Sequence, residues 1–271
     1  MSFSQLLALF PLFFVPFLVA FVPIFIGQQF GIKHVRKQKQ MDAMPMESVV
    51  TASFGLVAFM LAFTFQIAAN RWESRKALLY SEVQEIRTAY LRAGLIPEPL
   101  NSNTKKNLSD YVNLRVGLAN DFTKIENAIL KSQNILDTLW NYTEILAQQD
   151  RGSEVYSLYT TSINQIIDAF NQRITISLVY RIPPAIIYIL TIVVFLSMLL
   201  LGYHIGISGK GNNGIKFLLA ILFAIVMFLI LVLDRPETGV VKLDQTPLLT
   251  LQKQLNEKQR STIATEKMEN D

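Results

Sequence analysis

Four long stretches of the sequence contain no charged residue. They are residues 2–32, 48–70, 182–209 and 217–233, and their lengths are 31, 23, 28 and 17 residues. A helix needs about 20 apolar residues to cross the hydrocarbon layer of a membrane, and core helices of soluble proteins are usually shorter. The 25 basic and 21 acidic residues all fall in the other 172 positions. This separation predicts an integral membrane protein and excludes a soluble enzyme.

The four stretches predict an all-α fold with transmembrane helices at about residues 6–26, 49–69, 184–201 and 215–233. Four crossings bring the chain back to the side on which it began, so both termini lie on one side together with residues 71–181. We therefore divide the chain into spans 1 and 2 (residues 1–70), a helical extramembrane layer (71–181), spans 3 and 4 (182–233) and a tail (234–271). Pro11, Pro16 and Pro23 predict a bent or broken first span, because each removes a backbone donor.

The layer between spans 2 and 3 has the spacing of helices. Because residues 49–95 contain no proline, span 2 is predicted to continue beyond the membrane as one helix. A turn around Pro97 and Pro99 ends it, a second helix runs from about residue 103 toward 148, and a third begins at Ser153. One face of the third helix is predicted to be buried, because its apolar residues recur every three or four positions: Val155, Tyr159, Ile163, Ile166, Phe170 and Ile174.

The sequence offers no group of residues suited to catalysis. His34 and His204 have no carboxylate nearby in sequence, and the absence of cysteine excludes a thiolate metal site and a cysteine nucleophile. The spans also lack the ionisable residues that ion-coupled carriers keep in the membrane. We therefore predict no enzyme, no metal and no cofactor, and no nucleic-acid partner because no part of the chain is strongly basic. A passive pore formed by several copies of one helix fits this composition.

Span 2 carries two side-chain stripes of different character. One stripe consists of small residues and predicts close packing of a neighbouring helix: Thr51, Gly55, Ala58, Ala62 and Ala69. The other carries two aromatic rings followed by two amides: Phe59, Phe63, Gln66 and Asn70. This second stripe suits a pore lining, and its alternative role is to place the two rings in lipid while Gln66 bonds to another span.

The end of span 2 resembles that of the bestrophins, a family of pentameric, four-span anion channels. The pair Arg71 and Trp72 begins eight residues after Phe63, and in bestrophins an Arg-Trp motif marks the cytoplasmic end of the pore helix. That helix carries bulky residues at four-residue spacing, which form a narrow neck. Phe59 and Phe63 match two neck positions, whereas Gly55 stands where a third, bulkier residue is expected.

A closer resemblance, to the bestrophin-like domain family of membrane proteins, covers nearly the whole chain. Its recurring features stand here at residues 61–65, 71, 75, 88–99, 110–112, 115, 182–184, 234–236, 239 and 247–248. Animal bestrophins also bind calcium through an acidic cluster after the last span. Here Asp234, Glu237 and Asp244 are scattered among Arg235 and Lys242, so we expect no calcium gate.

These resemblances imply a passive, anion-favouring channel made of several identical subunits, expected to be a pentamer, with span 2 around the axis. Its expected partners are membrane lipid, other copies of the chain and inorganic ions. The implied constriction is Phe59 and Phe63 with Gly55, and the implied polar lining is Gln66 and Asn70. A cytoplasmic mouth, or an anchor at the membrane boundary, is expected from the charged and aromatic residues at the span ends: Arg71, Trp72, Glu73, Arg75, Asp234 and Arg235.

Two other functions fit the same sequence. One is a non-conducting membrane scaffold or sensor whose helical layer binds a partner. The other is a cation pore, because Gln66 and Asn70 are neutral and Asp234 offers a ring of carboxylates.

The positions of Lys and Arg favour an orientation in the inner cell membrane with the helical layer and both termini in the cytoplasm. Eight such residues lie near the membrane on the layer side, and six lie on the opposite side, four of them in the short loop after span 1.

Overall fold

The computed structural model describes residues 3–37, 46–120, 125–176, 180–209, 211–235, 240–241 and 243–270. These residues form helices and connecting turns, and none of them belongs to a strand. The helices are α1 (Phe3–Lys37), α2 (Met46–Ala93), α3 (Leu100–Asn120), α4 (Ile125–Gln149), α5 (Glu154–Ile174), α6 (Pro184–Ser208), α7 (Asn213–Asp234) and α8 (Thr246–Asn270). The predicted all-α fold is confirmed.

The chain divides into two compact units. The membrane unit comprises Met1–Glu73 and Tyr180–Lys242, and the helical unit comprises Ser74–Val179 and Leu243–Asp271. Helices α1, α2, α6 and α7 are long and apolar enough to cross a membrane by length and composition. The four predicted spans are therefore confirmed, and the chain is a membrane protein.

Two helix predictions were right, and the predicted break in α1 was wrong. Helix α2 runs without a break through 48 residues, as the lack of proline indicated, and Ser153 caps α5 by accepting a hydrogen bond from the Tyr156 N–H. Helix α1, which we expected to be bent or broken, is not broken: it stays helical through its three prolines, because in a membrane no other conformation satisfies the remaining backbone groups as well. The helix predicted for residues 103–148 is described as α3, which begins at Leu100, and α4, which ends at Gln149; residues 121–124 between them lie outside the described residues.

Glycines bring the backbones of α1 and α6 into direct contact. A Cβ atom at Gly27 would overlap the carbonyl oxygen of Leu199, and one at Gly202 would overlap that of Ile24. One helical turn further along, Gly31 and Gly206 stand against the backbone of the opposite helix in the same way. Between apolar helices in lipid, packing and close backbone approach replace the hydrophobic effect as the main attraction. These four glycines therefore fix the distance between α1 and α6.

Lys216 is a buried cation at the start of α7. Its side chain is only 2% exposed, and its Nζ donates hydrogen bonds to Gln28 Oε1 and, at 2.9 Å, to Asn213 Oδ1. The ammonium group also lies 5.2 Å from the centre of the Phe25 ring. These contacts hold the start of α7 to α1.

The helical unit has a core of its own, built from α2, α3, α4, α5 and α8. The stripe predicted on α5 supplies Tyr159, Ile163, Ile166 and Phe170, all buried, whereas Val155 is 39% exposed. Helix α8 buries three leucines in the same core: Leu248, Leu251 and Leu255. This part of the tail therefore packs on the helical unit.

A buried ion cluster ties α2, α3 and α5 together inside the helical unit. The Glu82 carboxylate accepts hydrogen bonds from Tyr111 at 2.7 Å and from Arg115 at 2.9 Å, and Arg173 Nε lies 3.4 Å from its Oε1. Burial alone would raise the pKa of Glu82, but the guanidinium groups of Arg115 and Arg173 lower it to about 2. Glu82 lies outside the charge-free part of α2, so this cluster belongs to the extramembrane part of the chain.

We predict that Gly202→Ala destabilises the protein by about 1–3 kcal/mol, because the added methyl group must push α1 away from α6. The midpoint of thermal unfolding in one detergent measures the effect. Gly117→Ala is the matched control: Gly117 lies in α3, where a Cβ atom meets nothing within 4 Å. That change should stabilise by about 0.5–1 kcal/mol. Equal midpoints for the two variants would contradict the role given to the α1–α6 contact.

The low pKa of Glu82 predicts acid sensitivity of the helical unit. Its ordinary pKa is 4.5 and its folded value is about 2, so its contribution of roughly 3 kcal/mol is present above pH 4.5 and is lost as the pH falls toward 2. Glu82→Gln should cost about 3–5 kcal/mol at neutral pH, because two guanidinium groups remain buried without their carboxylate. It should also flatten the fall of stability below pH 4.5, whereas the exposed Glu144→Gln should not. If Glu82→Gln leaves the slope of stability against pH unchanged below pH 4.5, the acid sensitivity does not come from Glu82.

Candidate functional site

One face of α2 is exposed along its whole passage through the membrane unit. Phe59 is 69% exposed and Phe63 is 56% exposed, and Gly55, Gln66 and Asn70 are also exposed. A helix advances 100° per residue, so steps of four, four, three and four keep these five side chains on one side. We call them the α2 stripe. The structure thus places every predicted constriction and lining residue on one open face.

The opposite face of α2 packs inside the membrane unit. Val57, Thr64 and Ala68 are buried there, and the Thr64 hydroxyl donates to the Met60 carbonyl oxygen at 2.7 Å. The small-residue face that we expected to pack does not do so within one chain: Thr51, Gly55, Ala58 and Ala62 are exposed, and Ala69 is half-buried. The residues that pack within the chain, Val57, Thr64 and Ala68, lie on the other side of the helix.

Helix α2 is also the least covered of the four membrane helices. Only 17% of its most apolar window is buried in the chain, compared with 28% for α1 and α6 and 39% for α7. Either lipid or another protein surface must cover the rest.

The amide side chains of the α2 stripe make contact with lipid chains unfavourable. Gln66 Nε2 donates to Asn70 Oδ1 at 2.7 Å, which uses one donor of Gln66. A glutamine amide has two donors and two acceptor sites, and an unsatisfied polar group in hydrocarbon costs several kcal/mol. Water or the polar groups of another chain would satisfy the rest.

The charged residues after the α2 stripe fall on different sides of the helix. Glu73 lies three residues beyond Asn70 and is exposed, as the stripe is. Arg71 and Trp72 are half-buried, and Arg75 is only 5% exposed, on the same side as Thr64 and Ala68. Of the charged residues predicted at a mouth or an anchor on α2, Glu73 is therefore the one exposed next to the stripe.

Asp234 is the last residue of α7 and Arg235 follows it, and their side chains have different surroundings. The Asp234 carboxylate is buried and accepts a hydrogen bond from the Ile182 N–H at 2.9 Å, and its backbone oxygen accepts one from Arg181 Nη1 at 2.7 Å. Asp234 thus joins the end of α7 to the start of α6. Arg235 is exposed beside it.

The acidic residues considered for calcium serve as helix connections where the structure describes them. Asp244 accepts hydrogen bonds from the backbone and the side chain of Thr246 at the start of α8, and Glu237 lies outside the described residues. Within those residues, no three His, Cys, Asp or Glu side chains are grouped as a metal site requires.

The whole-chain pattern matches a known family. A sequence model of the bestrophin-like domain matches residues 18–248. The chain belongs to the bestrophin-like domain family. Its match covers all four membrane helices from the middle of α1 onward, together with the helical unit up to the start of α8. No curated protein is significantly similar in sequence.

Solved structures share the fold of this bestrophin-like chain at low sequence identity. A crystal structure of a variant bacterial bestrophin homologue from Klebsiella pneumoniae has a TM-score of 0.61 and 16% identity, with 91% of this chain and 97% of that chain covered. A second structure, described as a membrane protein variant, has a TM-score of 0.59 and 17% identity, with 93% and 96% covered. These matches establish a bestrophin-type fold, and membership of the family suggests an ion channel.

Sequence reasoning missed two groups of residues that shape this bestrophin-like chain. The glycine pairs of α1 and α6 each have a spacing of four residues, Gly27 with Gly31 and Gly202 with Gly206, which is a known signal for close helix contact in membranes. The partners of Glu82 gave a weaker signal. Tyr111 and Arg115 share one face of α3 at a spacing of four, but nothing in the sequence indicated which carboxylate they would meet.

We predict that Asp234→Ala weakens the membrane unit without any effect of calcium. The change leaves the buried Ile182 N–H without its acceptor, which costs about 1–3 kcal/mol. Thermal unfolding with calcium and with a chelator measures both parts. Equal midpoints for Asp234→Ala and wild type would remove the connecting role, and a calcium-dependent midpoint of the wild type that Asp234→Ala abolishes would show a metal site instead.

Proposed function

We propose that the protein is a passive ion channel assembled from several copies of the chain, with the α2 stripes around a central axis. The observation that carries the proposal is the composition of that stripe: two exposed phenylalanines followed by two exposed amides on the least covered membrane helix. An axis shared by several copies would cover the rings and give the amides water. The subunit number, five, comes from the resemblance to bestrophins.

The constriction is formed by Phe59 and Phe63 in this proposal. Rings of aromatic side chains make a hydrophobic neck that conducts ions only while water fills it. Gly55 contributes no side chain to the neck, and a Cβ at this position meets nothing within 4 Å in the chain. The neck therefore has two layers of rings, with a wider part at Gly55. Gln66 and Asn70 follow as the polar lining.

Glu73 favours cations over anions. It is exposed on the side of α2 that carries Asn70, so several copies would place a ring of carboxylates after the polar lining. Rings of acidic side chains raise the local concentration of cations. The anion preference implied by the sequence depended on Arg71 and Arg75, and the burial of Arg75 weakens that argument. Arg71 is the residue through which an anion preference would act.

The orientation and the membrane follow from charge and composition. The helical unit and both termini are placed in the cytoplasm, with the chain in the inner cell membrane, because basic residues are more numerous near the membrane on that side. Glu73 then lies at the cytoplasmic mouth.

We predict that Phe59→Ala and Phe63→Ala each raise ion flux severalfold in liposomes that contain the purified protein, because a smaller side chain widens the neck and admits water. Gly55→Phe should lower the flux, because it adds a third layer of rings. Ile192→Ala is the matched control: Ile192 is 57% exposed on α6, away from the α2 stripe. Equal flux for all four variants and wild type would place the pore elsewhere or nowhere.

The sign of the conducted ion is measured separately, from the reversal potential in asymmetric KCl. We expect a reversal potential close to the K⁺ equilibrium potential. Glu73→Gln should shift it toward zero, whereas Glu47→Gln, at an exposed position near the start of α2, should leave it unchanged. If the reversal potential is instead close to the Cl⁻ equilibrium potential, and Arg71→Gln abolishes this preference, the protein is an anion channel and the role given to Glu73 is wrong.

A further inference from the structure

A groove on the membrane unit runs between α1, α6 and α7. It has a volume of about 310 Å³, at the lower end of the range for ligand sites. Pro11 and Pro16 line it from α1, Thr191 from α6, and Met227 from α7, and Arg235 stands at one end. The groove shares no residue with the α2 stripe.

The interior of the groove suits a hydrocarbon chain. Among the described lining residues, Thr191 and Arg235 alone have polar side chains, and the Thr191 hydroxyl already donates to the Ile187 carbonyl oxygen at 2.7 Å. A polar occupant would lose its bonds to water and gain few in return. An acyl chain loses nothing there, and the apolar walls supply dispersion contacts along its length.

The end of the groove suits an anionic headgroup. From Phe223 to Arg235 the lining residues of α7 follow about 18 Å of helix and end just after the charge-free stretch 217–233. This is the level at which lipid phosphates lie. Arg181 donates to the backbone oxygen of Asp234 at 2.7 Å, which adds a second guanidinium group at this end of α7. The Asp234 carboxylate is buried against the Ile182 N–H.

We propose that this groove is a binding site for an anionic phospholipid, with one acyl chain between α1, α6 and α7 and the phosphate on Arg235. The guanidinium group matches the geometry of a phosphate, to which it can donate two parallel hydrogen bonds. A lipid with a net negative charge is preferred, because a zwitterionic headgroup brings its own cation to the arginine. The site stands whether or not the protein conducts ions.

Competition between two lipids tests the site. The full chain is reconstituted in nanodiscs of phosphatidylglycerol and phosphatidylcholine in equal amounts, released into mild detergent, and the lipids still bound are counted by native mass spectrometry. Wild type should retain phosphatidylglycerol in preference. Arg235→Gln should lower that preference about fivefold, the effect of one cation at the membrane surface, and Arg235→Lys should keep part of it. Arg36→Gln removes the same charge from the exposed end of α1 and should change nothing.

A second variant tests the acyl-chain part of the site. Thr191→Trp fills the groove and should lower the retention of both lipids, while Ile192→Trp on the exposed side of α6 should not. Retention of the two lipids in equal amounts by wild type would overturn the headgroup preference. If Arg36→Gln and Arg235→Gln lower the preference for phosphatidylglycerol equally, the preference comes from the overall surface charge and not from a site at Arg235. Disulfide-linked dimers of a Val15→Cys variant would show that a second copy of the chain occupies the groove.

Discussion

The contact between α1 and α6 sets the geometry of the membrane unit. Gly27 and Gly202 bring two backbones together without side chains between them, and in lipid this kind of packing must supply much of the attraction between helices. Helix α7 then packs against α1, with Lys216 bonded to Gln28 and Asn213 at one end. At the other end, Asp234 accepts the Ile182 N–H. Three helices are thus fixed at both ends of the unit.

This arrangement leaves one face of helix α2 uncovered in the membrane unit. It contributes Val57, Thr64 and Ala68 to the packed interior, whereas the α2 stripe is exposed within the chain. A monomer would expose the Gln66 amide to hydrocarbon at a cost in free energy, which supports the proposed assembly through α2. The helical unit includes the continuation of α2 and is stabilised by interactions of its own, the buried Glu82 cluster and three leucines from α8.

Periodic and compositional signals predicted most of the fold, because they depend on one helix at a time. The four spans, the continuous α2, the cap at Ser153 and the common face of Phe59, Phe63, Gln66 and Asn70 are of this kind. Contacts between distant parts of the chain could not be derived this way: the partner of Arg115, the burial of Lys216 and the packing of Asp234 depend on which helices meet. The side to which Arg75 points was misjudged for the same reason. Its charge suggested an open mouth, but its position seven residues after Ala68 places it on the packed face.

Disulfide cross-linking tests the central claim, that the α2 stripes of several copies face one another, most directly. The chain contains no cysteine, so a single introduced thiol reports on one position. Phe63→Cys, oxidised in native membranes, should give covalent dimers, whereas Ile192→Cys, on the exposed side of α6, should stay monomeric at the same expression level. If Phe63→Cys gives no more dimer than Ile192→Cys, the stripes do not meet at an axis and the channel proposal fails.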